Sequence, residues 1–121
     1  MTQLSNPKRY DLEDRTLEFA RRVRRFAKAL PKIIANMEDS KQLVKASGSV
    51  GANYIEANES LSKKDFIMRV KVCRKEAKES TYWLNLIDTS GNVDLEKERM
   101  FLIGESTEPM KIFGAILQKS Q

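Results

Sequence analysis

The sequence predicts an all-α fold, an antiparallel up-down four-helix bundle, and three observations carry the prediction. Apolar residues recur at alternating spacings of three and four in four separate segments. Only five Gly and three Pro occur, and 40% hydrophobic with 32% charged side chains suits helices better than strands and turns. A length of 121 residues suits one domain and leaves no room for two comfortable cores.

Residues 1–10 are polar, contain Pro7 and show no periodicity, so they read as a flexible tail ahead of a bundle over 11–121. From Asp11 onward, Leu12, Thr16, Phe19, Val23, Phe26 and Leu30 form one buried stripe. Asp11, Glu13 and Asp14 crowd its first turn, where exposed amide dipoles favour negative charge. Leu30-Pro31 closes this helix, because proline disfavours the helical conformation of the residue before it and sits well at the next helix start.

The second segment runs from about Ile33 to Glu59, with Leu43, Ser47, Val50, Tyr54 and Ala57 on its stripe. Its centre, residues 46–52, has two readings, a Ser/Gly loop or a continuous helix; each helical glycine costs about 1 kcal/mol relative to alanine. The continuous helix is preferred, because the pairs Ser47/Gly51 and Gly48/Ala52 put small residues one turn apart, where a neighbouring backbone can come close. No Gly-Lys-Ser/Thr follows, which rules out a phosphate-cradling loop.

Ser62-Lys63-Lys64-Asp65 has the form of a capping box with Asp in place of Glu. The helix it opens carries Phe66, Val70, Cys73, Ala77, Ser80, Leu84 and Ile87 over three heptads. Residues 89–92, Thr-Ser-Gly-Asn, are a turn cluster, and Asp94 is the expected cap of a fourth helix bearing Ile103, Ser106, Met110, Phe113 and Leu117. Pro109 falls inside that pattern and predicts a kink or a split, since an interior proline removes one hydrogen bond and clashes one turn back. Short connections between four helices make the antiparallel bundle the natural packing.

The sequence contains no histidine, which removes the commonest general base, the commonest metal ligand and every Ser-His or Cys-His nucleophile pair. No enzyme and no cofactor are therefore expected. Cys73 is the single cysteine and lies on a buried stripe, so it reads as an inert core thiol in a reduced compartment. No apolar run approaches the roughly 18 residues of a membrane span and the N-terminus lacks a secretory pattern, so the expected location is the cytoplasm.

The net charge of +5 is unevenly placed. Residues 8–32 hold nine basic against four acidic side chains and residues 63–88 hold seven against four, while the other two segments are slightly acidic. Arg21, Arg25 and Lys28 lie opposite the first helix's apolar stripe; Lys64, Lys71, Lys75 and Lys78 share an outward face of the third with Tyr82. That pairing of cations with an aromatic ring fits phosphate contact plus base stacking, although outward lysines are more often simply solvated.

Glu56/Glu59 and Glu76/Glu79 have the i, i+3 spacing of di-iron bundles. If the second and third helices turn back near Leu61, residue i faces about residue 122 − i, which sets Glu76 about 15 Å from Glu56, too far to share an ion. No metal is expected. Asn53, Glu56, Glu59, Ser62 and Lys63 read instead as a hydrogen-bonded network at the turn between those helices. Met68, Val72, Trp83 and Leu86 lie off the third helix's main seam, either as a broad core flank or as a subunit interface.

The stretch Ser49-Val50-Gly51-Ala52-Asn53-Tyr54-Ile55-Glu56-Ala57-Asn58-Glu59, followed by Ser62-Lys63-Lys64-Asp65-Phe66 and Arg74-Lys75-Glu76-Ala77-Lys78-Glu79-Ser80-Thr81-Tyr82-Trp83-Leu84, resembles the four-helix-bundle proteins encoded in intervening sequences of bacterial 23S ribosomal RNA genes. The resemblance includes Leu30-Pro31-Lys32 and spans nearly the whole chain. It implies an up-down bundle, a homopentamer around a central channel and no established activity. It also implies kinship to the accessory variability protein of diversity-generating retroelements, a basic pentamer associated with nucleic-acid binding. Pro109 departs from the uninterrupted fourth helix that the family leads one to expect. Two functions are thus in view: a homo-oligomeric scaffold that binds RNA or DNA without strong sequence preference, or a structural assembly that docks another protein.

Overall fold

The computed structural model describes residues 7–120, with side chains from Leu12 onward. It contains α1 (Pro7–Ala29), α2 (Ile34–Asn58), α3 (Lys63–Leu86) and α4 (Val93–Lys119). Helices adjacent in sequence pack against each other, α1 closes the ring against α4, and among the described residues the backbones of neither diagonal pair come close. With connections this short, that is the predicted antiparallel bundle. No described helix is long and apolar enough to cross a membrane.

The start of α1 corrects the sequence reading. The described part of α1 opens at Pro7, a residue suited to a first helical turn, and Asp11, Glu13 and Asp14 lie beyond that turn. Of the tail expected over residues 1–10, residues 7–10 are helical and residues 1–6 lie outside the described residues.

α2 runs unbroken through Gly48 and Gly51, as the preferred reading held. Ser62 caps α3 by accepting a hydrogen bond from the Asp65 amide at 3.1 Å. Asn92, not Asp94, caps α4: its Oδ1 accepts from the Leu95 amide at 3.0 Å, and Asp94 falls in the first turn. Ser90 and Gly91 both hold positive φ, 53° and 75°, between Thr89 and Asn92, whose backbone groups bond at 3.0 Å. Two left-handed residues in a row are what a tight turn of this kind requires, and glycine supplies one without strain.

α4 is neither split nor interrupted at Pro109, which is buried on the core side. The ring fills the seam, and the neighbouring Ser106 and Thr107 hydroxyls both turn back onto the Ile103 carbonyl, at 2.9 and 2.7 Å. The buried stripe of α4 is Leu102, Ser106, Pro109, Phe113 and Leu117; the predicted Ile103 and Met110 are half-buried beside it.

The core divides into two apolar clusters. One gathers Leu12, Val50, Tyr54, Val70, Cys73 and Phe113; the other gathers Phe19, Val23, Phe26, Leu43, Leu84 and Leu102. Between them each helix contributes one fully buried hydroxyl: Thr16, Ser47, Ser80 and Ser106. Burying these groups costs little because each donates to a carbonyl in its own preceding turn: Thr16 to Leu12 at 2.8 Å, Ser47 to Val44 at 3.1 Å, Ser80 to Glu76 at 2.9 Å and Ser106 to Ile103 at 2.9 Å. These small groups form the bundle's waist, where α1 comes close to α2: a Cβ on Gly51 would stand 2.8 Å from the Thr16 hydroxyl oxygen.

Candidate functional site

The candidate surface is best built by sorting cations according to what they already hold. Arg15 and Arg22 of α1 reach across to α4 in two bidentate pairs, with Glu105 at 2.9–3.2 Å and Glu98 at 2.7–3.0 Å. The Arg22 guanidinium also lies 3.8 Å from the centre of the Phe101 ring, and its Glu98 hydrogen bond raises its pKa further. Arg99 is held by Glu96 at 2.6 Å and by the Leu84 carbonyl at 3.3 Å. These arginines close the bundle and are not available to a partner.

The second class points outward. Arg21, Arg25 and Lys28 are exposed on α1, as predicted, with Arg25 paired to Glu18 at 3.0 Å. Lys64, Lys71, Lys75, Lys78 and Tyr82 are exposed on α3, with Lys75 lying 3.8 and 4.0 Å from Glu76 and Glu79. The fold does not join the two groups. α1 and α3 are diagonal partners, so their outward faces look in opposite directions.

The structure changes the meaning of the α3 face. Lys64, Met68, Lys71, Lys75, Lys78, Tyr82 and Leu86 follow one another at helical spacings of four and three, and all seven are exposed. Met68 is 49% and Leu86 48% exposed, so two predicted interface residues belong to the same ridge as the predicted phosphate contacts. Val72 and Trp83 are half-buried within the chain itself; Trp83 packs on the upper core with Val44 and meets the Tyr82 ring edge-on at 5.0 Å.

The predicted turn network gains a member from α3. Arg69, not singled out from sequence, donates to Asn53 Oδ1 at 3.0 Å and lies 4.0 Å from Glu56, while Asn53 itself donates to the Ser49 carbonyl at 2.9 Å. Ser62 is spent on its cap, Glu59 closes α2, and Lys63 joins none of these bonds but lines a shallow surface depression with Lys64, Ile67, Met68 and Lys71. The Arg69–Asn53 bond agrees with the predicted register between α2 and α3.

Cys73 is fully buried and desolvation pushes its thiol up to about 12. No cluster of three or more acidic or cysteine side chains that could hold a metal occurs among the described residues.

Among the described residues Glu76 is the one carboxylate held above its ordinary range, first by burial and then by the neighbouring charge of Glu79. Its folded form binds the proton more tightly than the unfolded chain, so its contribution to stability falls as pH rises from about 4.3, the unfolded value, through the raised folded value. Glu76→Gln is therefore expected to remove that part of the slope and to stabilise the protein modestly at neutral pH, measured by thermal melts between about pH 4 and 7.

A family model described as 23S rRNA-intervening sequence protein matches residues 8–112. The crystal structure of a protein with unknown function from the S23 ribosomal protein family of Bacteroides thetaiotaomicron superposes with a TM-score of 0.77. It is 31% identical and the match covers 92% of this chain and 98% of that one. No curated protein matches the chain.

Proposed function

The chain belongs to the 23S rRNA-intervening sequence protein family, and from that premise we propose that it is a non-enzymatic, self-associating helical scaffold whose basic outer surface binds RNA or DNA without strong sequence preference. The observation that carries this reading is the division of its cations. Those facing α4 are neutralised by carboxylates, whereas Arg21 and Lys28 on α1 and Lys64, Lys71 and Lys78 on α3 have no ion-pair partner among the described residues. Cations left unpaired on an outer surface suit a polyanion, and phosphate contacts carry no sequence information by themselves.

Assembly into five copies, the number the family resemblance implies, would repeat each weak contact and let several act on one nucleic acid. The exposed Met68, Tyr82 and Leu86 on α3 give such an assembly apolar area to cover. The same residues favour a second reading, in which the α3 ridge docks another protein and the lysines serve solubility.

Mass measurement in solution together with salt-titrated binding to a labelled RNA hairpin and DNA duplex tests the proposal. A mass of several subunits and a binding constant that falls steeply with salt are expected. A monomer that ignores both nucleic acids at low salt would sink it, and co-purification of an acidic protein despite nuclease treatment would favour the second reading.

A further inference from the structure

We infer that the phosphate backbone is taken by a basic patch across the α1–α2 seam, built from Arg21, Arg24 and Lys28 of α1 with Lys41 and Lys45 of α2, and not by the α3 ridge. The inference rests on the nucleic-acid reading above and assigns it to one face.

Arg24 is the starting point. Its guanidinium donates to the Ala20 carbonyl at 3.1 Å and lies 3.3 Å from where a Cβ on Gly48 would stand. A cation of α1 is thereby laid against the backbone of α2, in space that exists because residue 48 has no side chain. Lys45 and Lys41 precede Gly48 by three and seven residues, which sets them on the same helical face. The helices are antiparallel, so Lys28, one turn beyond Arg24, runs toward those lysines. A shallow groove at this end, lined by Ala27 and Pro31 on one side and Ser40 and Lys41 on the other, puts these turns level with each other.

The five cations occupy a small area. At 1.5 Å rise per residue, Arg21 to Lys28 spans about 10 Å and Lys41 to Lys45 about 6 Å, on helices roughly 8–10 Å apart. All five are exposed, and Arg21, Arg24, Lys28 and Lys45 have no carboxylate within ion-pair distance among the described residues; Glu76 of α3 acts on Lys45 only from farther away. Glu38 reaches Lys41 at 3.4 Å, but both side chains are about 70% exposed, and such a pair neutralises little. Concentrated like charge of this kind repels itself in the free protein and is relieved by a polyanion; duplex DNA presents one negative charge per roughly 1.7 Å of axis.

The α3 ridge offers a poorer phosphate surface. Met68 interrupts its lysines, Tyr82 and Leu86 end it, and Lys75 already stands beside Glu76 and Glu79. A ridge of mixed apolar and cationic groups suits a protein surface, which leaves the α1–α2 face open when copies assemble through α3.

Two charge-matched double reversals separate the faces: Arg24→Glu with Lys45→Glu, and Lys71→Glu with Lys78→Glu. Binding of a fluorescein-labelled random-sequence duplex is titrated against salt, with circular dichroism and solution mass as controls on fold and assembly. The first pair is expected to weaken binding at least about tenfold and to lower the slope of log K against log salt by about 2, whereas the second leaves that slope unchanged. Equal loss in both pairs, or slope loss only in the α3 pair at unchanged mass, overturns the patch while nucleic-acid binding itself stands. Absence of salt-dependent binding by the unmodified protein strikes the underlying reading instead.

Discussion

Replacing Asn36 by leucine is expected to destabilise the protein by about 3–5 kcal/mol and to lower its melting temperature by roughly 10–20 °C. Asn36 is 1% exposed in the first turn of α2. Its amide nitrogen donates to the Pro31 carbonyl at 3.1 Å and to the Asp88 carbonyl at 2.8 Å, and its oxygen accepts from the Asp88 amide at 2.9 Å. One side chain thus ties the α1–α2 connection to the α3–α4 connection. Leucine keeps much of the volume but strands three backbone groups, each at about 1–3 kcal/mol if no water reaches it.

Asn36→Asp sharpens the test. A carboxylate still accepts from the Asp88 amide but sets negative charge against two carbonyl oxygens, so the damage at neutral pH should match or exceed that of leucine. Protonation restores one donor, and part of the lost stability should return on acidification, which leucine cannot do. Urea melts of both variants at neutral and acid pH read this directly; a leucine variant within about 1 kcal/mol of the parent would mean that solvent replaces the bonds.

Asn36 also marks how far the fold could be read in advance. It stands seven residues before Leu43, on the buried stripe of α2, so a polar residue in an apolar register was the visible signal; its partner Asp88, 52 residues away, had no local signature. The stripes of α1, α2 and α3 were legible because helical periodicity is a local property, and the predicted residues are buried apart from the half-buried Phe66. In α4 the stripe shifts from Ile103 and Met110 to Leu102 and Pro109, because a proline treated as a breaker takes a core position instead.

The candidate surface was less legible, for a related reason. Summing charge by segment hides Lys41 and Lys45, since α2 is acidic overall while both its lysines precede Gly48 on one face. The Arg15–Glu105 and Arg22–Glu98 pairs join residues 90 and 76 positions apart and only the fold reveals which arginines they occupy. Sequence placed the outward lysines of α3 correctly, yet separated them from Met68 and Leu86, which share their ridge.

The waist of the bundle makes the last prediction. Gly51→Ala is expected to cost about 1–3 kcal/mol even though alanine is the better helix former by about 1 kcal/mol. A Cβ at residue 51 would stand 2.8 Å from the Thr16 hydroxyl oxygen and 3.2 Å from its Cβ. Thr16 cannot swing aside cheaply: it is 1% exposed and its hydroxyl is engaged with the Leu12 and Glu13 carbonyls at 2.8 and 3.1 Å. The added methyl must therefore push α1 from α2 at the hydroxyl layer. Gly104 supplies the control, because nothing lies within 4 Å of its virtual Cβ, and Gly104→Ala should stabilise by about 0.5–1 kcal/mol. Combining Gly51→Ala with Thr16→Gly removes the colliding atoms and isolates the clash from helix propensity. A coupling energy near zero between residues 16 and 51, read from chemical denaturation of the four species in that cycle, would show that the α1–α2 contact relaxes freely and that the waist does not fix the helix spacing.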